Sequence, residues 1–297
     1  MPSAASWARV ELPEGDNLYL AQSDIRDAFY RIRLPDGLCD FFVPPCVETR
    51  HIPGLSDSER QALGPRCSPK LLVLPMGWSW ALHFCQLVTE TCSRLGGNDV
   101  ARTICDRGPA TVLSSPDSGA IHHAEYVDNF AFIGTSPSAV LASVEATRHQ
   151  LESRGLACHP VEGPAVAGTF TGLDINGSTG AIRVGLSRMW RLHHAIQHIL
   201  KQGSVTGDQL GRIVGHFTWA VLVRRVGLSV VQGIYSYMRT LGAARAQLWP
   251  SVRRELSWMC AILPLLCHEA RAQWADVVHT RRLTATVSAT KRYQATK

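Results

Sequence analysis

No stretch of this sequence is apolar for long enough to cross a bilayer. The longest apolar runs, Phe217–Val223 and Met259–Leu266, fall far short of the roughly 20 residues a spanning helix needs, so no membrane partner is expected. The opening MPSAASWARVELPEG lacks the apolar core of a secretory leader. CxxC pairs are absent too. The nine cysteines are odd in number, and three pairs of them stand seven residues apart, a spacing that suits neither a zinc knuckle nor a dense disulfide scaffold. Reduced, mostly buried thiols are expected, in an intracellular protein of cytoplasm or nucleus alike. His194 and His198 lie one helical turn apart with no Glu or third ligand close in sequence, and no zinc is expected. Acidic residues are scarce in the last third. Residues 187–297 hold 4 Asp and Glu against 16 Lys and Arg.

What is present fits a chain that buries a core. Its 297 residues are 45% hydrophobic and 18% charged, enough for two domains or for one large domain with an appendage. Residues 1–186 carry 14 Lys and Arg against 20 Asp and Glu, so an acidic first part adjoins a basic last part. Bound metal in the one and a polyanion against the other would account for the split; arginine-rich helical surfaces alone would account for it equally well.

Residue pattern predicts strands at Leu18–Gln22, Phe29–Leu34, Asp40–Val43 and Leu71–Leu74, the last ended by Pro75. Helical spacing runs from Trp80 to Leu95 and stops at Gly96-Gly97. A helical turn is expected at Ser56–Leu63, and residues 98–120 read as a loop. Ala124–Val127 and Phe130–Ile133 flank Asp128-Asn129 as the arms of a hairpin. Pro137 opens a helix running to Arg154 and Gly155, and Leu156–His159 returns as a strand. A further extended stretch, Thr169–Ile175, ends at the Asn176-Gly177 turn. Strand, helix, hairpin, helix, strand is the order of a split βαβ antiparallel sheet with helices on one face, the ferredoxin-like arrangement. Beyond residue 186 four helices are expected, at Ser187–Gln202, Thr206–Val223, Leu228–Leu241 and Ser251–Cys267, with a capping box at Thr206 and Gln209. The class is α+β, with a boundary near residue 186.

Three segments carry the chemistry: Ser23-Asp24-Ile25-Arg26-Asp27-Ala28-Phe29-Tyr30; Leu74-Pro75-Met76-Gly77-Trp78, followed by Gln86 on a helix; and Tyr126-Val127-Asp128-Asn129. Singly, each has a plain structural reading as a turn or a cap. Together, on a sheet that sets two neighbouring strand ends side by side, Asp24 and Asp128 would present carboxylates to one point. Such a pair suits Mg²⁺, which takes hard oxygen ligands from one or two carboxylates plus substrate phosphates. The basic helices would then lie along a nucleic-acid backbone.

In that order the segments resemble the reverse transcriptase domain of retroelements, on the retroviral, LTR and tyrosine-recombinase retrotransposon side. DIRDAFY is similar to motif A, LPMGW with Gln86 to motif B, and YVDN to the YxDD of motif C. Gly155 to Pro160 is similar to motif D, Phe170-Thr171-Gly172-Leu173 to the primer grip, and LGRIVGHFTWAVLVRR to the helical thumb and connection. The resemblance implies a palm over residues 1–186 and a thumb or connection over residues 187–297. It further implies RNA-directed DNA polymerisation with two Mg²⁺ ions, Mn²⁺ serving as a substitute. RNA template, DNA primer and deoxynucleoside triphosphates are the implied partners. Asp24 and Asp128 would hold metal with the Ile25 carbonyl, and Asn129 would complete the catalytic set. Asp27, Ala28, Phe29, Met76, Gly77 and Gln86 would face the nucleotide, with Phe29 excluding a ribose 2′-hydroxyl. Arg188, Arg191, Arg212, Arg224 and Arg225 would meet the nucleic-acid backbone.

Four departures leave a second reading open. Asn129 stands where the family carries an aspartate. The stretch before Asp24 is short for a fingers subdomain, and Arg9 is its only cation. Motif D lacks the lysine often found near Cys158-His159-Pro160, and no acidic cluster in Thr280–Lys297 suggests a following RNase H domain. An inactive retroelement remnant that at most binds nucleic acid is the alternative. An RRM-like fold would need exposed aromatics on its central strands, for which Tyr126 and Phe130 are the candidates.

Overall fold

A computed structural model describes residues 1–113, 120–272, 277–281 and 290–294; parts of the expected loop at 98–120 and of the tail after Thr280 lie outside them. Strand β1 (Tyr19–Asp24) runs through a four-stranded antiparallel sheet with β2 (His122–Tyr126), β3 (Asn129–Gly134) and β4 (Glu162–Ala165), in the order β2-β3-β1-β4. This is the split βαβ order. Short helix α1 (Ala28–Arg31) follows β1 and α2 (Asp57–Leu63) comes later. Helices α3 (Ser79–Leu95) and α4 (Pro137–Glu152) provide the crossovers.

Alternation along the strands shows how the sheet is covered. Phe130 and Phe132 of β3, with Ala21 of β1, pack among Cys85, Cys92, Val140, Val144 and Leu151 of α3 and α4. Their neighbours Ala131 and Ile133 point the other way, into a larger core with Leu20 and Ala124. β3 is thus buried on both faces, which is why Asn-Phe-Ala-Phe-Ile-Gly reads as an almost unbroken apolar run. Burying each phenylalanine contributes about 2–3 kcal/mol.

A second antiparallel sheet, of β5 (Ala167–Phe170), β6 (Leu173–Asn176), β7 (Ala181–Val184) and β8 (Cys267–Glu269), is ordered β8-β7-β6-β5. Against it lie α5 (Leu186–Gln202), α6 (Gly207–Val221), α7 (Gly233–Leu241) and α8 (Pro250–Ile262). Met189, Leu192, Ile196 and Ile199 form the apolar stripe of α5. The expected capping box of Thr206 and Gln209 is present. The core made by these helices also takes in Trp7, Val10, Leu12 and Leu18 from the start of the chain, so burial continues across residue 186, where the charge changes sign.

Several local expectations are overturned. Phe29–Leu34 is not a strand: Asp27 takes a left-handed conformation (φ 50°) that ends β1, and Ala28–Arg31 then winds one helical turn. The apolar pair Phe29 and Ile32, three apart, serves that turn as well as it would a strand. Arg33 and Val73 then meet in a single bridge, which is all that remains of the strands expected at 29–34 and 71–74. Asp36–Cys39 is helical and no strand follows it at Asp40–Val43. Leu156–His159 makes one bridge, Cys158 to Ile25, and the pairing strand comes later as β4. Gly207–Val230 has the length and apolarity of a spanning segment. It is broken, because α6 ends at Val221 and Arg224 is extended (φ −144°) within the tighter turns of Leu222–Val230.

Candidate active site

Asp24 is the last residue of β1, and its register partner is Asn129, the first of β3. Directly opposed residues of antiparallel strands share a face, so Asp24 and Asn129 project together, away from α3 and α4. The Asn129 side-chain amide donates to Asp128 Oδ1 at 2.9 Å, which ties the second aspartate to Asn129. Residue 24 and the pair 128 and 129, more than a hundred positions further along the chain, are thus gathered at one end of the sheet. The Ile25 N–H donates to the Asp128 carbonyl at 3.0 Å.

The turn differs from the sequence expectation by one residue. Tyr126 pairs with Asn129, leaving Val127-Asp128 as the two-residue loop. Val127 has φ 61°, a conformation that costs a β-branched side chain energy and persists only under outside restraint. Helix α3 supplies the restraint. Gln86 Oε1 accepts the Val127 N–H at 2.7 Å, Gln86 Nε2 donates to the Glu125 carbonyl at 2.9 Å, and the Thr89 hydroxyl donates to the Val127 carbonyl at 2.7 Å. Gln86 is only 6% exposed, and its amide faces the hairpin backbone.

Around this centre Phe29 is half-buried between two apolar clusters, Ala28 is buried and Asp27 is exposed. Met76 is exposed and its sulfur accepts from the Tyr30 hydroxyl at 3.3 Å. Gly77, at φ 96°, lets Pro75-Met76-Gly77-Trp78 turn tightly into α3. His159 Nε2 lies 3.8 Å from Asp24 Oδ2, a neighbour that sequence reasoning passed over. Beneath the site, burial, helped by the charge of Asp128, pushes the Cys85 thiol up to about 12. Burial, with Glu152 and Asp24 adding to it, does the same to Cys158, again to about 12. Both stay protonated at neutral pH, so thiolate nucleophiles have no part here.

The donor set is oxygen-rich: two half-exposed carboxylates, the Ile25 carbonyl and the Asn129 amide. Among the described residues no group of three or more His, Cys, Asp or Glu could hold a metal ion. Two carboxylates fit Mg²⁺, which keeps several waters, better than they fit a metal that needs a full cage of side chains.

The remaining candidates lie elsewhere. Phe170 and Leu173 are core residues, Phe170 against Trp7 at 5.7 Å; the turn between them, Thr171-Gly172, is half-exposed. It lies beside Arg188, whose guanidinium stacks 4.6 Å over Trp219. Arg191, Arg212, Arg224 and Arg225 are exposed, as is Arg188. Among the described residues, every Lys or Arg in a salt bridge precedes residue 187, so the basic helices carry cations without ionic partners. Arg9 is not available to an outside anion, since its guanidinium donates to the carbonyls of Cys105, Asp106 and Gly108. Phe130 is fully buried, which removes the aromatic platform an RRM-like surface would need.

No protein family matches the chain by its sequence, and neither does any curated protein. Solved structures do match in fold. A foamy viral protease-reverse transcriptase in complex with double-stranded DNA superposes with TM-score 0.56 at 12% identity, over 99% of this chain and 43% of that one. A foamy viral protease-reverse transcriptase with an RNA/DNA hybrid gives TM-score 0.54 at 16% identity, over 89% of this chain and 29% of that one. The fold is similar to that of these reverse transcriptases, and the chain spans less than half the length of the matched chains.

Proposed function

We propose that the chain is the polymerase portion of a retroelement reverse transcriptase, with a palm over residues 1–186 and a thumb or connection after them. It adds deoxynucleotides to a primer 3′-hydroxyl along an RNA template. The observation that carries this reading is the gathering of Asp24, Asp128 and Asn129 at one end of the split βαβ sheet. Asp24, Asp128 and the Ile25 carbonyl would hold two Mg²⁺ ions, or Mn²⁺ in their place, which would supply activation of the attacking hydroxyl and neutralisation of the leaving pyrophosphate. Phe29 sits under the sugar and excludes a 2′-hydroxyl, so the product is DNA. Asp27 and Ala28 offer backbone N–H groups to the triphosphate, and Met76 and Gly77 border the base. Gln86 acts through the backbone it holds. Thr171 and Gly172, between the buried Phe170 and Leu173, face the primer end. The unpaired arginines of the helical part follow the phosphate backbone, where each neutralised phosphate releases counterions.

Primer extension on an RNA template in Mg²⁺ tests the reading. Asp24→Ala removes a charge worth up to roughly 4 kcal/mol to a nearby cation, a loss on the order of 10³-fold in rate. Incorporation that survives Asp24→Ala would overturn the assignment. Two observations favour a second reading, a non-catalytic nucleic-acid binder: Asn129 contributes no charge, and Arg9 is bonded within the fold. Salt-sensitive binding of RNA or DNA without any metal-dependent incorporation would establish it.

A further inference from the structure

Gln86, Thr89 and Ser93 follow one another at three- and four-residue spacing along α3, so they share a face. All three are polar and at most 6% exposed. The first two hold the backbone of the Asp128 turn. The third ends beside His123 of β2, its hydroxyl 3.5 Å from Nδ1. His123 is 4% and Glu125 1% exposed, and His123 Nδ1 lies 2.6 Å from Glu125 Oε1. His123 Nε2 lies 3.0 Å from the Asp99 carbonyl. With Glu125 ionised, both partners can only accept, so both ring nitrogens would donate and the ring would be an imidazolium.

We propose that the buried His123–Glu125 ion pair is a protonation-controlled strut for Asp128. It ties β2 to the segment after α3, and so keeps the Val127 backbone where Gln86 and Thr89 can hold it left-handed. The proposal rests on the reading of Asp128 as a metal-holding residue. His123 and Glu125 are positioning residues and touch no substrate. His122 shares β2 and feels the His123 charge, Met1, Glu90, Arg94 and Cys105 line the same cavity as the pair, and Asp99 of the segment after α3 adds its charge to that of Glu125. Phe132 of β3 stacks on the ring at 5.8 Å.

Burial by itself would lower the His123 value, but the bond and charge of Glu125, with Asp99, outweigh it and raise it above 6.5. The sign follows directly. A value raised in the folded state gives stability that is complete below about 6.5 and lost as pH rises through the folded value, roughly tenfold in equilibrium for each unit of separation. Once the proton leaves, one ring nitrogen becomes an acceptor facing another acceptor, and the strut fails.

The test pairs imidazole NMR of histidine-labelled protein with exchange protection of the Val127 amide from pH 6 to 9.5. Primer extension with Mg²⁺ is followed over the same range for wild type and for the His123→Gln/Glu125→Gln double variant. His123 is expected to titrate above 6.5, with Val127 protection falling about tenfold or more across that transition. The ratio of wild-type to double-variant extension rates should fall with the same midpoint, and Glu125→Gln should move the NMR midpoint down. A His123 midpoint at or below 6.5, or Val127 protection that ignores its titration, overturns the strut. Protection that tracks His123 in a protein lacking any metal-dependent incorporation upholds the strut and removes the polymerase reading instead. The wild-type measurements need no variant to fold.

Discussion

Asn129 occupies the position where a second carboxylate would add charge, yet its amide donates 2.9 Å to the Asp128 carboxylate. The bond orients Asp128 and offsets part of its charge. Asn129→Asp would replace a donor by a second acceptor, so without metal two carboxylates face each other. The variant should be less stable by about 1 kcal/mol when metal-free, because a hydrogen bond becomes a repulsion. With Mg²⁺ the order reverses: the added charge strengthens cation binding by up to roughly 2 kcal/mol, on the order of 30-fold, in occupancy or incorporation rate. Thermal unfolding with and without Mg²⁺ reads both effects. A metal-induced rise in Tm no larger than that of wild type would show that Asn129 suits the site better than aspartate does.

The elements meet through buried polar groups as well as apolar stripes. Helix α7 is a case in point. Its first turn has no cap of its own, and the Glu255 carboxylate, 8% exposed on α8, accepts from the N–H groups of Gln232, Gly233 and Ile234 at 3.1, 2.7 and 2.9 Å. A negative group at a helix start satisfies otherwise unpaired donors and complements the positive end of the helix. Glu255→Ala leaves three part-buried N–H groups without partners, for a loss of about 2–4 kcal/mol. Denaturant unfolding should show a lower midpoint with little change in slope, while Glu255→Gln, which still accepts, loses less. An alanine variant as stable as wild type would mean that water replaces the carboxylate.

Across the whole molecule, the acidic first part and the basic last part are separated in charge but joined in burial. Where the first sheet passes into the second, Gly177 stands against the backbone of Leu18: a Cβ there would lie 1.9 Å from the Leu18 carbonyl oxygen. The same place is tied by Arg271, which donates to the carbonyls of Gly177 and Ser178 at 3.3 and 2.9 Å. Gly177→Ala must therefore push β1 and β6 apart, with a cost of several kcal/mol if the backbone shifts as in other overpacked sites. A soluble, cooperatively unfolding Gly177→Ala protein with wild-type Tm would contradict this packing.

Much of this organisation was legible in the sequence because its signals are local. Helices α3 and α4, the Thr206 capping box and the hairpin around Asp128 follow from spacing, caps and turn residues that act over a few positions. The buried-polar stripe of Gln86, Thr89 and Ser93 could also have been noticed, since three polar residues on an otherwise apolar helix face ask for partners. Its meaning could not, because the partners come from a strand about forty residues away. Tertiary contacts decided the rest. Residues 28–31 became a helical turn once Asp27 turned left-handed, Val127 rather than Asn129 entered the loop, and Phe170 and Leu173 went into the core. By itself, the sequence determined which short segments want to be helix, strand or turn, and the order in which they come. Which faces meet, and so which residues reach solvent, depended on hydrogen bonds and burial between distant segments, whose free energies outweigh local propensities of a few tenths of a kcal/mol or so per residue.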